Sequence, residues 1–247
     1  MPEFEFPTEM IDLPSKGLVY SKESPLSKGQ IELKYMTARE EDILTSQNLI
    51  KKGIVLDKLF DSLIITKGVS SNDLVVGDKN AVMVAARVLA YGAQYTATVD
   101  TAEGPKEVTF DLSDVKFKEI NEDVEYKDNN FEMELPASKL KVTFKILNGH
   151  DEGQIAKDIK AVSKSGSSAE ITTRLRYMIT GIDGQTDKPT INKFVTNMLS
   201  QDSLALRRRY SDISPDIDLS QEIEIGGEMV KVDIPMTVRF FWPDSTV

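Results

Sequence analysis

Chemistry in this chain must be sought among few residue types. It holds no cysteine and a single histidine, His150, which excludes disulfides, thiol nucleophiles, iron–sulfur clusters, zinc ribbons and every multi-histidine metal site. A Ser-His-Asp triad would need His150 as its base. His150 lies, however, in Asn-Gly-His-Asp-Glu-Gly, a polar turn before a helix, where a capping or solvated histidine is expected. The patterns G-x-x-x-x-G-K-[ST], G-x-G-x-x-G and H-E-x-x-H do not occur. Carboxylates are plentiful in Glu40-Glu41-Asp42 and from Asp212 to Asp218, so a pair at glycosidase distance could form on folding, but abundance is not a pattern. Asp212, Asp216 and Asp218 alternate like part of a calcium loop, yet no turn glycine and no glutamate at the twelfth position complete one. No catalytic residue, metal ligand or cofactor is therefore nominated.

Residues suited to contact are easier to find. Arg207-Arg208-Arg209 stands out in an acidic chain, with Arg174 and Arg176 on an earlier helix. Within one helix the three fan over about 200° and cannot share a surface. They either pair with nearby acids such as Asp202 or Asp212, or anchor an acidic partner protein through the bidentate guanidinium fork. Val-Arg-Phe-Phe-Trp-Pro, 238–243, gathers the only tryptophan and two phenylalanines near the chain end. Such aromatics either anchor an interface or complete the core as a last strand.

The elements that must position these residues follow from periodicity. Residues 1–30 carry four prolines and two glycines and are expected as an extended arm. Its apolar beads Phe4, Phe6, Ile11, Leu13, Leu18 and Tyr20 must dock on this chain or a neighbour. Residues 31–92 read as helical: a capping box at Thr37 with Glu40, a helix ended by Gly53, a second over 54–66, and the almost wholly apolar AVMVAARVLAYG stopped at Gly92. Over 93–148 the period becomes two, predicting four strands (AQYTATV, EVTFDL, NFEMEL, KLKVTFKIL) in one small antiparallel sheet. Residues 149–214 return to helices over 153–164 and 169–179, then from Pro189, and from Asp202 as a cap. Residues 215–247 form a strand pair about Gly226-Gly227, followed by the aromatic tail. The fold class is α+β: a helical N-terminal part, a small antiparallel sheet, and C-terminal helices closed by a β-hairpin.

Composition narrows the partners. With 40 acidic against 30 basic residues the net charge is −10, which disfavours nucleic acid and anionic membrane surfaces. No apolar run of about 18 residues is present to span a bilayer. The opening MPEFEFPTEMIDLP has neither the basic start nor the apolar centre of a secretory signal. A protein that works where it is made is expected, and the absence of cysteine fits a reducing compartment.

Whole strings then match a known pattern. LPSKGLVY (13–20), GQIELKYMTAREEDILT (29–45), LIKKGIVLDKL (49–59), LVVGDKNA (74–81) and the closing FFWPDS (240–245) resemble the T4-type phage baseplate hub proteins. The likeness is dense over 13–92, looser through the sheet, and recovers at the C-terminus. It implies a part in building the central hub of a contractile tail baseplate, in the host cytoplasm during assembly, without catalysis. Some members of the family are hub components and others promote hub formation; a length near 250 residues inclines this chain to the assembly factors, with a resident virion subunit as the alternative. The implied partners are other hub proteins, and the oligomeric state stays open. Leu13, Pro14, Lys16, Gly17 and Tyr20 of the arm, Arg207, Arg208 and Arg209, and Phe240, Phe241, Trp242 and Pro243 are the candidate contact residues. A carboxylate-dependent cell-wall hydrolase is the alternative from another class.

Overall fold

The computed structural model describes residues 7–101, 104–121, 123–163, 169–225, 227–236 and 240–241. In chain order the elements are β1 (Thr8–Asp12), β2 (Gln30–Lys34), α1 (Ala38–Thr45), α2 (Gln47–Lys52), α3 (Val55–Leu63), α4 (Val76–Tyr91), β3 (Gln94–Thr101), β4 (Gly104–Asp111), β5 (Lys116–Phe117), β6 (Phe131–Glu134) and β7 (Lys141–Phe144). They continue with α5 (Gly149–Ser163), α6 (Glu170–Met178), β8 (Ile179–Ile182), α7 (Lys188–Asn197), α8 (Ser200–Ile213), β9 (Ile217–Asp218), β10 (Ser220–Ile225) and β11 (Glu228–Asp233). The class is α+β, with antiparallel pairs β1–β2, β3–β4, β5–β9 and β10–β11 and one three-stranded sheet, β6–β7–β8.

Apolar side chains collect into two cores drawn from non-consecutive segments. The first unites Leu13, Ile31 and Leu33 with Leu59, Phe60 and Leu63 of α3, Val82 of α4, Tyr95 and Phe110 of the β3–β4 hairpin, and Phe240 and Phe241. The second joins Val19 to Phe131, Val142 and Phe144 and to Ile155, Leu175, Val195 and Leu206 on α5 to α8. The four strands expected as one sheet are thus divided. β3 and β4 serve the first core, while β6 and β7 take β8 as third strand and serve the second. β8 hides from periodicity because it is four residues long and follows α6 without a loop; a run that short carries no period of its own.

Residues 8–34 do not form an extended arm. β1 pairs along its whole length with β2, in register from Thr8 opposite Lys34 to Asp12 opposite Gln30. The segment between them turns back on itself through a short 3-10 helix, Pro25–Lys28. Prolines deny a segment long helices, but they permit turns and strand starts; of the apolar beads Leu13 is buried, Ile11 and Tyr20 are half-buried, Leu18 is exposed, and Phe4 and Phe6 lie outside the described residues.

The helix expected from Thr37 to Gly53 breaks at Ser46, whose ψ of 104° is extended, into α1 and α2, and Gly53 ends α2 at φ 69°. At its start Glu40 reaches back as a capping box requires. Its Oε2 accepts from the Thr37 backbone N–H at 3.0 Å and the Thr37 hydroxyl at 2.6 Å, and its Oε1 from Lys34 Nζ at 2.8 Å and Ser62 Oγ at 2.7 Å. Burial raises the Glu40 pKa, but these donors outweigh it and hold the group at about 2 against an ordinary 4.5. A lowered folded pKa contributes stability that is complete above the unfolded value and disappears as the pH falls through the folded one. About 3 kcal/mol should therefore be lost between pH 4.5 and 2. Urea unfolding across that range should show a shallower acid limb in Glu40→Gln than in the parent; equal slopes would mean that these bonds do not stabilise the protein in solution.

The first turns of α4 lie against both the segment around Ser15 and the segment around Pro215. Gly77 admits this approach, since a Cβ there would lie 1.9 Å from the Pro215 carbonyl oxygen. At its other end Arg87 is buried and donates to the carbonyls of Gly92 at 2.9 Å and Gln94 at 3.2 Å, with its guanidinium 5.2 Å from the Tyr91 ring centroid. A cation at a helix C-terminus meets carbonyls that have no intrahelical donor.

Candidate functional site

The segment from Leu13 to Tyr20 is shaped by local sequence and held by one distant carboxylate. Backbone bonds from Lys16 to Leu13, Leu18 to Ser15 and Tyr20 to Gly17 wind it into successive turns. Gly17 sits at φ 79°, and a Cβ on it would lie 2.4 Å from the Ser27 carbonyl oxygen, so both conformation and space require glycine. Asp78, fully buried in the first turn of α4, accepts from the Ser15 backbone N–H at 2.9 Å and from the hydroxyls of Ser15 and Tyr20 at 2.6 Å each. The Tyr20 hydroxyl in turn accepts from Val75 N–H at 3.0 Å, serving an orphan donor at the start of α4. Burial lifts the Asp78 carboxyl above the ordinary range although the Ser15 and Tyr20 donors oppose it. The Tyr20 phenol is raised by burial and then by the Asp78 charge.

Outside this staple lies a cleft of about 910 Å³. Lys16, Gly17, Leu18 and Tyr20 form one wall, and Val124 and Tyr126 stand on the other. Leu18 is half exposed, while Tyr126 is buried and donates to the Ile213 carbonyl at 2.9 Å. Of the arm residues singled out by sequence, Lys16, Gly17 and Tyr20 meet at this cleft; Leu13 and Pro14 are buried behind it.

The other candidates are placed elsewhere. Arg207 and Arg208 are exposed on α8 and Arg209 is half buried; among the described residues none of the three makes an ion pair. Asp202 does not serve them or cap its own helix. It is buried and accepts from the backbone N–H groups of Ala137 at 2.7 Å and Ser138 at 3.1 Å, and Arg207 and Arg208 are left to solvent. Arg209 borders a separate recess with Asp123, Glu125, Asp128 and Glu132. Phe240 and Phe241 are 1% and 3% exposed, so their rings complete the first core: Phe240 stands edge-on to Tyr95 at 5.1 Å and to Phe241 at 5.2 Å. Trp242 and Pro243 lie outside the described residues. His150, largely exposed, has its Nε2 3.2 Å from Asp73 Oδ1.

Neither Ser15 nor Asp78 is among the candidate residues that the sequence singles out. The available signal was spacing: Asp78 precedes Ala81 and Val82 by three and four residues, so it shares their apolar face, and a carboxylate on such a face needs donors from another segment.

These features define an α+β protein whose buried polar groups fasten its own distant segments and whose clefts are open to contact. The chain belongs to the T4 bacteriophage base plate protein family, whose model matches residues 17–242. No curated protein and no solved structure matches it. Membership places it among phage structural and assembly proteins and its working contacts among other baseplate proteins. No helix of the described residues is long and apolar enough to cross a membrane.

Proposed function

We propose that this protein is a baseplate hub assembly factor that acts through protein–protein contacts, without catalysis, in the infected cell. The observation that carries the reading is the family match over 17–242. The hub assignment within that family rests on the resemblance of the strings at 13–20, 29–45, 49–59 and 74–81 to hub proteins. The cleft beside Lys16, Gly17 and Tyr20 suits a contact role, because a rigidly stapled loop loses little entropy when a partner closes on it. The exposed Arg207 and Arg208 suit an acidic partner surface.

Infection with phage lacking this protein tests the role directly. Hubs should fail to form, and quantitative mass spectrometry of purified wild-type virions should find the chain well below the stoichiometry of hub subunits. Stoichiometric presence would make it a resident hub subunit, and normal hubs in its absence would remove the hub role.

A further inference from the structure

Among the described residues β1 is an edge strand, paired on one side only. Tyr35 N–H donates to the Pro7 carbonyl at 3.0 Å and Leu13 N–H to the Gly29 carbonyl at 2.8 Å. With the register of β1 on β2, the alternation of an antiparallel ladder makes Glu9–Leu33 and Ile11–Ile31 the hydrogen-bonded pairs. The backbone N–H and C=O groups of Thr8, Met10 and Asp12 therefore point off the outer edge, and none has a partner among the described residues. Met10 is 54% exposed. Thr8–Asp12 has no lysine, proline or bulge, and its only charges are the acids Glu9 and Asp12.

This edge borders an apolar groove of about 460 Å³. Ile11 of β1 forms one side, Val84, Val88 and Leu89 of α4 the floor, and Phe117 of β5 with Ile217 of β9 the far side. Phe117 is 42% exposed. The groove combines a ladder of free backbone groups with a hydrophobic floor, the two halves of strand addition: main-chain bonds for affinity, alternate side chains for specificity. Glu9 is the charged residue that lines it, so the groove's charge is negative.

We infer that the groove between β1 and β5 receives an extended segment of a partner protein, added as a strand to β1, with apolar side chains at alternate positions and a basic residue facing Glu9. This deepens the assembly reading by naming a surface for the contact.

The probe is a fluorescein-labelled peptide of alternating valine and threonine with a lysine at each end, titrated with the full chain. Saturable anisotropy is expected, weakened when glutamates replace the lysines. Met10→Pro removes an outward N–H and leaves the β1–β2 ladder its donors, so it should reduce affinity by about tenfold or more without moving the melting temperature. If that variant melts early, the unaltered protein and a peptide N-methylated at alternate residues carry the test: one methylation register should abolish binding and the other should not. Absence of saturable binding, or indifference to both backbone changes, overturns the proposal. A parent dimer that Met10→Pro makes monomeric assigns the edge to a second copy and overturns it too. Tighter peptide binding by a Phe4→Ser/Phe6→Ser variant assigns the groove to the chain's own N-terminus, with the same consequence. A peptide that fails to bind while hubs still require the protein removes the groove alone; a peptide that binds while hubs form without the protein removes the hub reading alone.

Discussion

Replacing Phe240 with alanine is expected to lower the unfolding free energy by about 3–5 kcal/mol, the usual cost of deleting a buried aromatic ring. Phe240 is 1% exposed and meets Tyr95 at 5.1 Å and Phe241 at 5.2 Å, and Phe241 in turn lies 6.3 Å from Phe60 of α3. The ring thus ties the end of the chain to the β3–β4 hairpin and to α3, and a cavity there opens between elements far apart in sequence. Phe240→Leu keeps most of the volume and should cost less than half as much. Urea unfolding followed by circular dichroism checks both. The comparison also separates core from contact: if hub assembly fails in Phe240→Leu while its stability is near that of the parent, the ring acts on a partner as well. Parental stability in Phe240→Ala would show that the ring is not in the core at all.

Asp78→Ala should be of similar size, about 3 kcal/mol or more, because it strands three donors at once: the Ser15 N–H, the Ser15 hydroxyl and the Tyr20 hydroxyl. The Ser15 amide cannot turn away, since the adjoining turns fix its backbone. Asp78→Asn keeps one acceptor but presents an NH₂ group to the other donors, so it should fall between alanine and the parent. The effect has a second signature. With Asp78 gone, Tyr20 loses the bond that aims its hydroxyl at Val75 N–H, and the wall of the 910 Å³ cleft loosens. Amide exchange at Ser15 and Val75 should therefore accelerate more than at Ile31 or Val142 in the cores. Unchanged exchange at Ser15 and Val75 would refute the staple even if global stability fell.

Several parts of this molecule are legible in residue order because their causes are local. Glu40 reaches the Thr37 backbone from three residues away, Gly53 and Gly92 end α2 and α4, and the period of two in 93–148 marks true strands. What stays hidden is partner choice. The pattern of β3, β4, β6 and β7 is alike, and only the packing of Phe110 with one set of residues and Phe144 with another divides them. The N-terminal prolines and the Arg207 to Arg209 run were open to two readings for the same reason. A proline forbids certain conformations without selecting the neighbour, and an arginine does not reveal whether an acid such as Asp202 is already occupied by the backbone of Ala137 and Ser138.

Residue types and order by themselves determined the α+β class, the positions of most helices, the lack of any cysteine or multi-histidine chemistry, and, through the matching strings, the baseplate resemblance. These depend on composition and on interactions a few residues long. Tertiary structure alone decided that the described apolar residues form two cores, that Asp78 binds Ser15 across 63 positions, that Phe240 and Phe241 turn inward, and that among the described residues the outer edge of β1 is unpaired beside an apolar groove. Each of these is a choice among many partners of equal chemical suitability. That choice is made by the simultaneous fit of volumes and donors over the whole chain, which no local window contains.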